Sequence, residues 1–213
     1  MYNFVMKLLF SFILISLCLL VWSMFIEPNI LIVKHLIIND EQLKGLKIVF
    51  ASDFHVKPHE TYRLNKIVRT INEQNPDIVL FGGDYVNGHK KGNSLSIEKI
   101  AKKFSYIVSK YGTYVVIGNH DGWQGKEEII EALKKNGINV LFNNNACFKD
   151  FCIAGVDDLQ TGNPDIEKAL SGVNKPVILL THTPDIMPNV PYNVNLTLAG
   201  HLHGGQVRLN KAL

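Results

Sequence analysis

Eight side chains in five short stretches carry the chemistry this sequence can offer. They are Asp53 and His55 in Asp53-Phe54-His55, Asp84 in Gly82-Gly83-Asp84, Asn119 and His120 in Gly118-Asn119-His120-Asp121, His182 in Thr181-His182-Thr183-Pro184, and His201 and His203 in Gly200-His201-Leu202-His203. Carboxylate, amide oxygen and imidazole without thiolate suit Mn, Fe or Zn rather than a structural Cys-rich zinc site. With His120 set aside, seven donors remain, too many for one ion and about right for two ions sharing one carboxylate. Two ions roughly 3.5–4 Å apart can hold a bridging hydroxide and clamp both oxygens of an in-line displacement at phosphorus. The alternate spacing of Asp53-x-His55 and His201-x-His203 lets one backbone turn supply two ligands. Each pair alone arises often by chance, and a lone His at a strand end is more often structural than a ligand. The ordered set is what carries the reading.

The elements that must position these groups follow from apolar periodicity. Leu46–Ser52 reads as a strand delivering Asp53, and Asp77–Phe81 as a buried strand ending on the Gly-Gly corner before Asp84. Between them Leu64, Ile67, Val68 and Ile71 have the spacing of one buried helix face, stopped by Asn75-Pro76. A second helix is expected from Ile97 to Tyr111, ended by Gly112, and a third from Lys126 to Asn136, ended by Gly137. Thr113–Ile117 and Ile138–Leu141 read as strands, Asn143-Asn144-Asn145 as a turn, and Ile166–Leu170 as a short helix capped by Asp165. Pro176–Leu180 and Val194–Ala199 are the last two strands. Five apolar runs thus end in polar clusters, and ligands of α/β sheets bind outside the carboxyl ends of strands. His35, His59 and His89 match no motif and read as surface residues. Asp157 and Asp158 lie on a loop that could approach substrate but carry no motif.

The net charge of +3 and the lack of a basic run with interleaved aromatics give no support for a nucleic-acid partner. Leu8–Ile26 is an apolar run without charge or proline, long enough to cross a bilayer as a helix. No small-x-small cleavage site closes it and Trp22 suits an interfacial anchor, so a retained anchor is favoured over a signal peptide. The positive bias on the short N-terminal side places the following domain outside the cytoplasm. Residues 1–28 are thus the anchor, 29–44 an amphipathic lead-in and 45–213 the remaining domain. Of the three cysteines, Cys147 and Cys152 would face each other at a non-hydrogen-bonded pair if Lys149-Asp150 is a two-residue turn. A disulfide or two free thiols both fit.

The order Asp53-x-His55, Gly83-Asp84, Gly118-Asn119-His120-Asp121, His182 and Gly200-His201-x-His203 resembles the calcineurin-like metallophosphoesterases. His201-Leu202-His203-Gly204-Gly205-Gln206 and the N-terminal span are most similar to that family's membrane-anchored bacterial phosphodiesterase branch, whose relatives include enzymes acting on UDP-2,3-diacylglucosamine. The resemblance implies a four-layer α/β/β/α sandwich of two mixed sheets. It implies two divalent metal ions (Mn, Fe or Zn), one held by Asp53, His55, Asp84 and His203, the other by Asp84, Asn119, His182 and His201. His120 would stabilise the transition state or protonate the leaving oxygen, with Asp121 orienting its ring. The implied activity is hydrolysis of phosphodiester or pyrophosphate bonds in preference to monoesters, on a phosphate-ester substrate that could be lipid-linked. Two departures stand out. Asn87 occupies a position where the family often has a second acid, and the chain ends ten positions after His203, so the second sheet is expected to be incomplete. An inactive, anchored metal-binding or interaction protein is the alternative.

Overall fold

A computed structural model describes residues 2–204 of the chain. The chain divides into two compact units, Met1–Ile38 and Asn39–Leu213. In the first, helix α1 (Tyr2–Val21) continues through a wider turn at Trp22–Ile26 and a tight one at Glu27–Asn29. Phe4–Ile26 is long and apolar enough to cross a membrane. Residues 30–40 form no helix or strand, so the amphipathic lead-in has no regular backbone there.

The second unit alternates strands and helices: β1 (Ile48–Ala51), α2 (Thr61–Glu73), β2 (Ile78–Phe81), α3 (Ile97–Phe104), β3 (Thr113–Val115), α4 (Asn119–Lys135) and β4 (Asn139–Val140). A hairpin of β5 (Asn144–Cys147) and β6 (Cys152–Gly155) follows, then α5 (Ile166–Ala169), β7 (Val177–Thr181) and β8 (Leu196–Ala199). The strands form two sheets ordered β1-β2-β3-β4 and β5-β6-β7-β8. The first is parallel throughout, and the expected mixing of directions is confined to the second, where β5 alone runs antiparallel to its neighbour.

Strand alternation sorts the side chains into layers. Val79 and Phe81 of β2 pack with Leu64, Ile67 and Ile100 of the helices, whereas Ile78 and Leu80 face the other sheet with Ile153, Ile178 and Leu180. On the far side, Ala154, Val177 and Leu179 meet Ala169 and Ile186. The order is therefore helices, sheet, sheet, helices, as expected.

Several local expectations shift. Helix α3 stops at Phe104 rather than at Tyr111, because the Asn72 side chain takes the Tyr106 carbonyl and the Val108 N–H into loop bonds (2.9 Å each). Helix α4 begins at Asn119, seven residues before the expected Lys126, and crosses a non-helical Gly125 with φ 125°. Of the three asparagines read as a turn, only Asn143 has a turn backbone (φ 51°), and Asn144 and Asn145 open β5. Asp165 caps α5 by accepting the Lys168 N–H at 2.9 Å. Phe148 and Phe151 close the hairpin turn, and Cys147 and Cys152 pair across it as a disulfide with Cα atoms 4.0 Å apart.

Candidate metal centre

The strand ends meet with almost no room between them. A Cβ on Gly118 would lie 2.3 Å from Asp84 Oδ1, one on Gly83 2.5 Å from the Gly118 nitrogen, and one on Gly200 1.9 Å from Ser52 Oγ. This explains why a glycine precedes Asp84, Asn119 and His201: a side chain would wedge the ligand-bearing turns apart. The ligand candidates themselves take the unusual backbone. Asp53, His55, Asp84, His201 and His203 all have φ between 42° and 69°. Non-glycine residues seldom occupy that region, and such outliers gather at functional sites.

The donor atoms fall into two groups that share Asp84. Its Oδ1 accepts the His120 N–H at 2.9 Å, which leaves Oδ2 at 3.4 Å from His55 Nε2 and 3.4 Å from His182 Nε2. On the first side, His55 Nε2 lies 3.2 Å from His203 Nε2, and His203 Nε2 3.6 Å from Asp53 Oδ1. On the second, His182 Nε2 lies 2.8 Å from Asn119 Oδ1 and 3.2 Å from His201 Nδ1. The sets Asp53–His55–His203, His55–Asp84–His120 and Asp53–Asp84–His182 each bring ligand atoms within 4.8 Å of one another. All seven expected ligands are thus assembled.

Donor chemistry tests whether cations fit. His182 Nδ1 donates to the Gly82 carbonyl at 2.7 Å, so in the neutral ring Nε2 carries a lone pair aimed at two acceptor oxygens. Such a convergence of acceptors needs a proton or a cation between them. Without an ion it holds a proton: burial opposes the charge, but the hydrogen bond and charge of Asp84 raise His182 to about 9. Asp84 is held below the usual carboxylate range, since His182, the His120 amide and His55 outweigh its burial. Burial, with His120 and His203 nearby, lowers His55 despite the pull of Asp84, which favours the neutral ring a cation would need. The donor set fits divalent ions on both sides of Asp84.

His120 is half-buried beside this centre, its Nδ1 3.0 Å from the Gly88 carbonyl, which fixes that nitrogen as a donor. Asp121 does not orient the ring. Its carboxylate is fully buried and accepts the N–H groups of Asp84 (2.8 Å), Gly118 (2.9 Å), Tyr85 (2.9 Å) and Val86 (3.2 Å). Pinning the Asp84 turn onto the start of α4 is its work. Burial, with the charge of Asp84, pushes it up to about 7 against those amides.

Four residues were not legible as parts of the site. Gln124, buried, donates to the Asn87 and Gly88 carbonyls at 2.8 and 2.7 Å and so holds the carbonyl that holds His120. His89 stacks on Trp123 at 4.2 Å, and Trp123 lies edge-on to His120 at 4.9 Å. The position of Trp123 three after His120 on a helix was the one available signal for it. Gln160 reaches His201, its Nε2 3.0 Å from the ring Nε2. The neighbouring acids have structural duties. Asp157 pairs with Lys126 at 2.8 Å, and Asp158 accepts the Gln160 and Thr161 amides and the Thr183 hydroxyl. His35 and His59 are exposed, as expected. Gly205 and Gln206 lie outside the described residues. Among the described residues, a cavity of about 620 Å³ adjoins Asp53 and His203, lined by the apolar Phe50, Pro184, Ala199 and Leu202.

Comparison with known proteins agrees with this geometry. Residues 46–205 match the calcineurin-like phosphoesterase family model. The chain is 34% identical over 176 residues to the Bacillus subtilis metallophosphoesterase YkuE, covering 78% of this chain and 60% of that one. It is 32% identical over 188 residues to a zebrafish (Danio rerio) transmembrane protein with metallophosphoesterase domain (78% and 42% covered). It is 34% identical over 174 residues to the Escherichia coli phosphodiesterase YaeI (76% and 62%). The chain thus spans 42–62% of the length of these curated relatives. On the family match and these identities, the chain belongs to the calcineurin-like phosphoesterase family.

Proposed function

We propose that this chain is a dinuclear metal-dependent phosphoesterase that hydrolyses phosphodiester or pyrophosphate bonds. The observation that carries the reading is the place of Asp84 Oδ2 between two clusters of candidate ligand atoms, 3.4 Å from an imidazole nitrogen of each. Asp53, His55, Asp84 and His203 would hold one ion, and Asp84, Asn119, His182 and His201 the other. When bound, the ions would neutralise phosphate charge and acidify water. The residues around them do the positioning. Asp121 fixes the backbone under Asp84, and Gly88 takes the Nδ1–H of His120, so that when the ring carries a proton on both nitrogens the second one is placed to go to the leaving oxygen.

A diester preference is supported by the name of the E. coli relative. Membrane attachment is supported by Phe4–Ile26 and the transmembrane-named zebrafish relative. An exterior placement draws support from the Cys147–Cys152 disulfide, which suits an oxidising compartment. A lipid-linked substrate is supported by the apolar cavity beside Asp53 and His203.

The test is Mn²⁺-dependent hydrolysis of bis-p-nitrophenyl phosphate and p-nitrophenyl phosphate by the full chain in detergent, with Asp84→Ala, Asn119→Ala and His55→Ala beside it. Faster diester turnover is expected, with both ions lost from Asp84→Ala and mainly one weakened in each of the others. Equal rates for the parent protein and Asp84→Ala would end the enzyme reading. Loss of a single ion from Asp84→Ala would end the bridging one.

A further inference from the structure

The ring stack beside the metal centre is the feature that reaches furthest beyond this reading. From the cavity outward the rings run His203, His55, His120, Trp123 and His89, with successive centroids 5.0, 4.6, 4.9 and 4.2 Å apart. The last two are nearly parallel, at 11°, and both are exposed, Trp123 by 43%. An exposed indole at the edge of a candidate active site has apolar faces that water serves poorly.

The stack is also preorganised. Trp123 stands on the first turns of α4, and His89 belongs to the loop after β2 whose carbonyls Asn87 and Gly88 are gripped from below by the buried Gln124. Asn87 bonds back to the Asn93 carbonyl at 3.0 Å, and Lys91 pairs with Glu128 of α4. Both ends of the loop are thus tied down, so the His89 ring is held against Trp123 rather than resting there by chance.

We propose that His89 and Trp123 form a stacking subsite that receives a planar ring on the leaving-group side of the phosphorus. The inference rests on the phosphodiesterase reading, through His120. A proton donor must touch the leaving oxygen, so the group departing over His120 comes out against the rings 4.9 and 5.2 Å beyond it. A ring carried close to that oxygen, an aryl ester or the base of a nucleoside, is the chemistry that such faces recognise.

Two matched comparisons test this in the full chain loaded with Mn²⁺ in detergent. The first is a dinucleoside monophosphate against its analogue lacking the base on the leaving sugar. The second is bis-p-nitrophenyl phosphate against bis-trifluoroethyl phosphate. Each is run in the parent protein and in Trp123→Leu and His89→Leu. The preference in kcat/KM for the ring-bearing leaving group should fall roughly tenfold in both variants, in line with base-stacking losses. Collapse in the first pair only assigns the site to a nucleobase, and in the second only to a simple aryl group. An unchanged preference in both variants and both pairs overturns the proposal. A binding readout separates it from the activity. In a Trp22→Phe background Trp123 is the sole tryptophan. Its fluorescence should then be quenched by a nucleoside 5′-monophosphate or by phenyl phosphate, and not by ribose 5-phosphate. Quenching without any turnover would sink the enzyme reading and with it the leaving-group assignment, leaving a ring-binding site alone. Turnover with neither quenching nor ring preference would do the reverse.

Discussion

Replacing Gly118 by Ala tests the idea that glycines separate the ligand turns. The backbone there is ordinary, with φ −99° and ψ 177°, so alanine suffers no conformational strain. The obstacle is space alone. The new methyl would sit 2.3 Å from Asp84 Oδ1 and 2.5 Å from the Asp84 nitrogen, where ordinary contact begins at 3.4 Å. About 1 Å of movement is therefore required of the Asp84 carboxylate. It has nowhere easy to go, being 1% exposed and bonded through Oδ1 to the His120 amide. Overpacking of this kind costs about 1–3 kcal/mol, or a fall in Tm of roughly 2–12 °C for a chain of this size. A displacement near 1 Å at reacting groups costs about a hundredfold in turnover. Calorimetry, metal analysis after dialysis and diester turnover read these outcomes. Gly137→Ala is the control: its φ of 76° makes alanine strained, yet nothing lies within 4 Å, so stability should drop with metal content intact. Two ions bound to Gly118→Ala with parent affinity, or equal metal loss in Gly137→Ala, would refute the reasoning.

Asp121→Asn leaves one acceptor oxygen for four backbone N–H groups, so two buried donors are orphaned at about 1–3 kcal/mol each, offset in part by removal of a buried charge. A net loss of about 2 kcal/mol is expected by urea titration at pH 8, with the acid limb of the pH–rate profile unmoved. A shifted limb at unchanged stability would return Asp121 to the His120 ring. His182 gives the metal-free protein a pH signature. Its folded pKa of about 9 lies above the ordinary 6.5, so its contribution is full below pH 6.5 and lost as pH rises through 9, about 3 kcal/mol in all. Denaturation in chelator from pH 6 to 10 should show that fall, and ion-saturated protein should not. A flat metal-free profile would contradict the assignment.

The candidate ligands could be read because each follows an apolar run, and runs of β-branched and aromatic residues report strands directly. The layers were legible for the same reason, as the alternation in Ile78–Phe81 shows. What stayed hidden was decided by contacts between distant segments. Ile107, Val108 and Tyr111 keep a helical spacing, but a single side chain from α2, Asn72, captures the backbone and ends α3 early. The start of α4 was masked by Gly122 and Gly125, poor helix formers whose places are set by the Thr161 contact and by a kink. Adjacency misled at Asp121, since neighbours on the first turn of a helix point apart and its carboxylate turned inward. His89 and Gln160 are ordinary surface residues in sequence, and only the loops that carry them bring them to the centre.

The left-handed backbone at five of the candidate ligands limits how this candidate centre can change. Each such residue costs roughly 1–2 kcal/mol unless it is Gly, Asn or Asp. The aspartates at 53 and 84 are therefore the cheap occupants of their turns, and the histidines at 55, 201 and 203 are held there by the surrounding packing. An engineer seeking a softer or harder coordination sphere meets the Ramachandran map before meeting ligand-field preference. Asn can replace Asp with little backbone cost, whereas a β-branched residue cannot follow the chain. The range of metals open to this scaffold by point substitution is thus narrowed by torsion angles as well as by donor atoms.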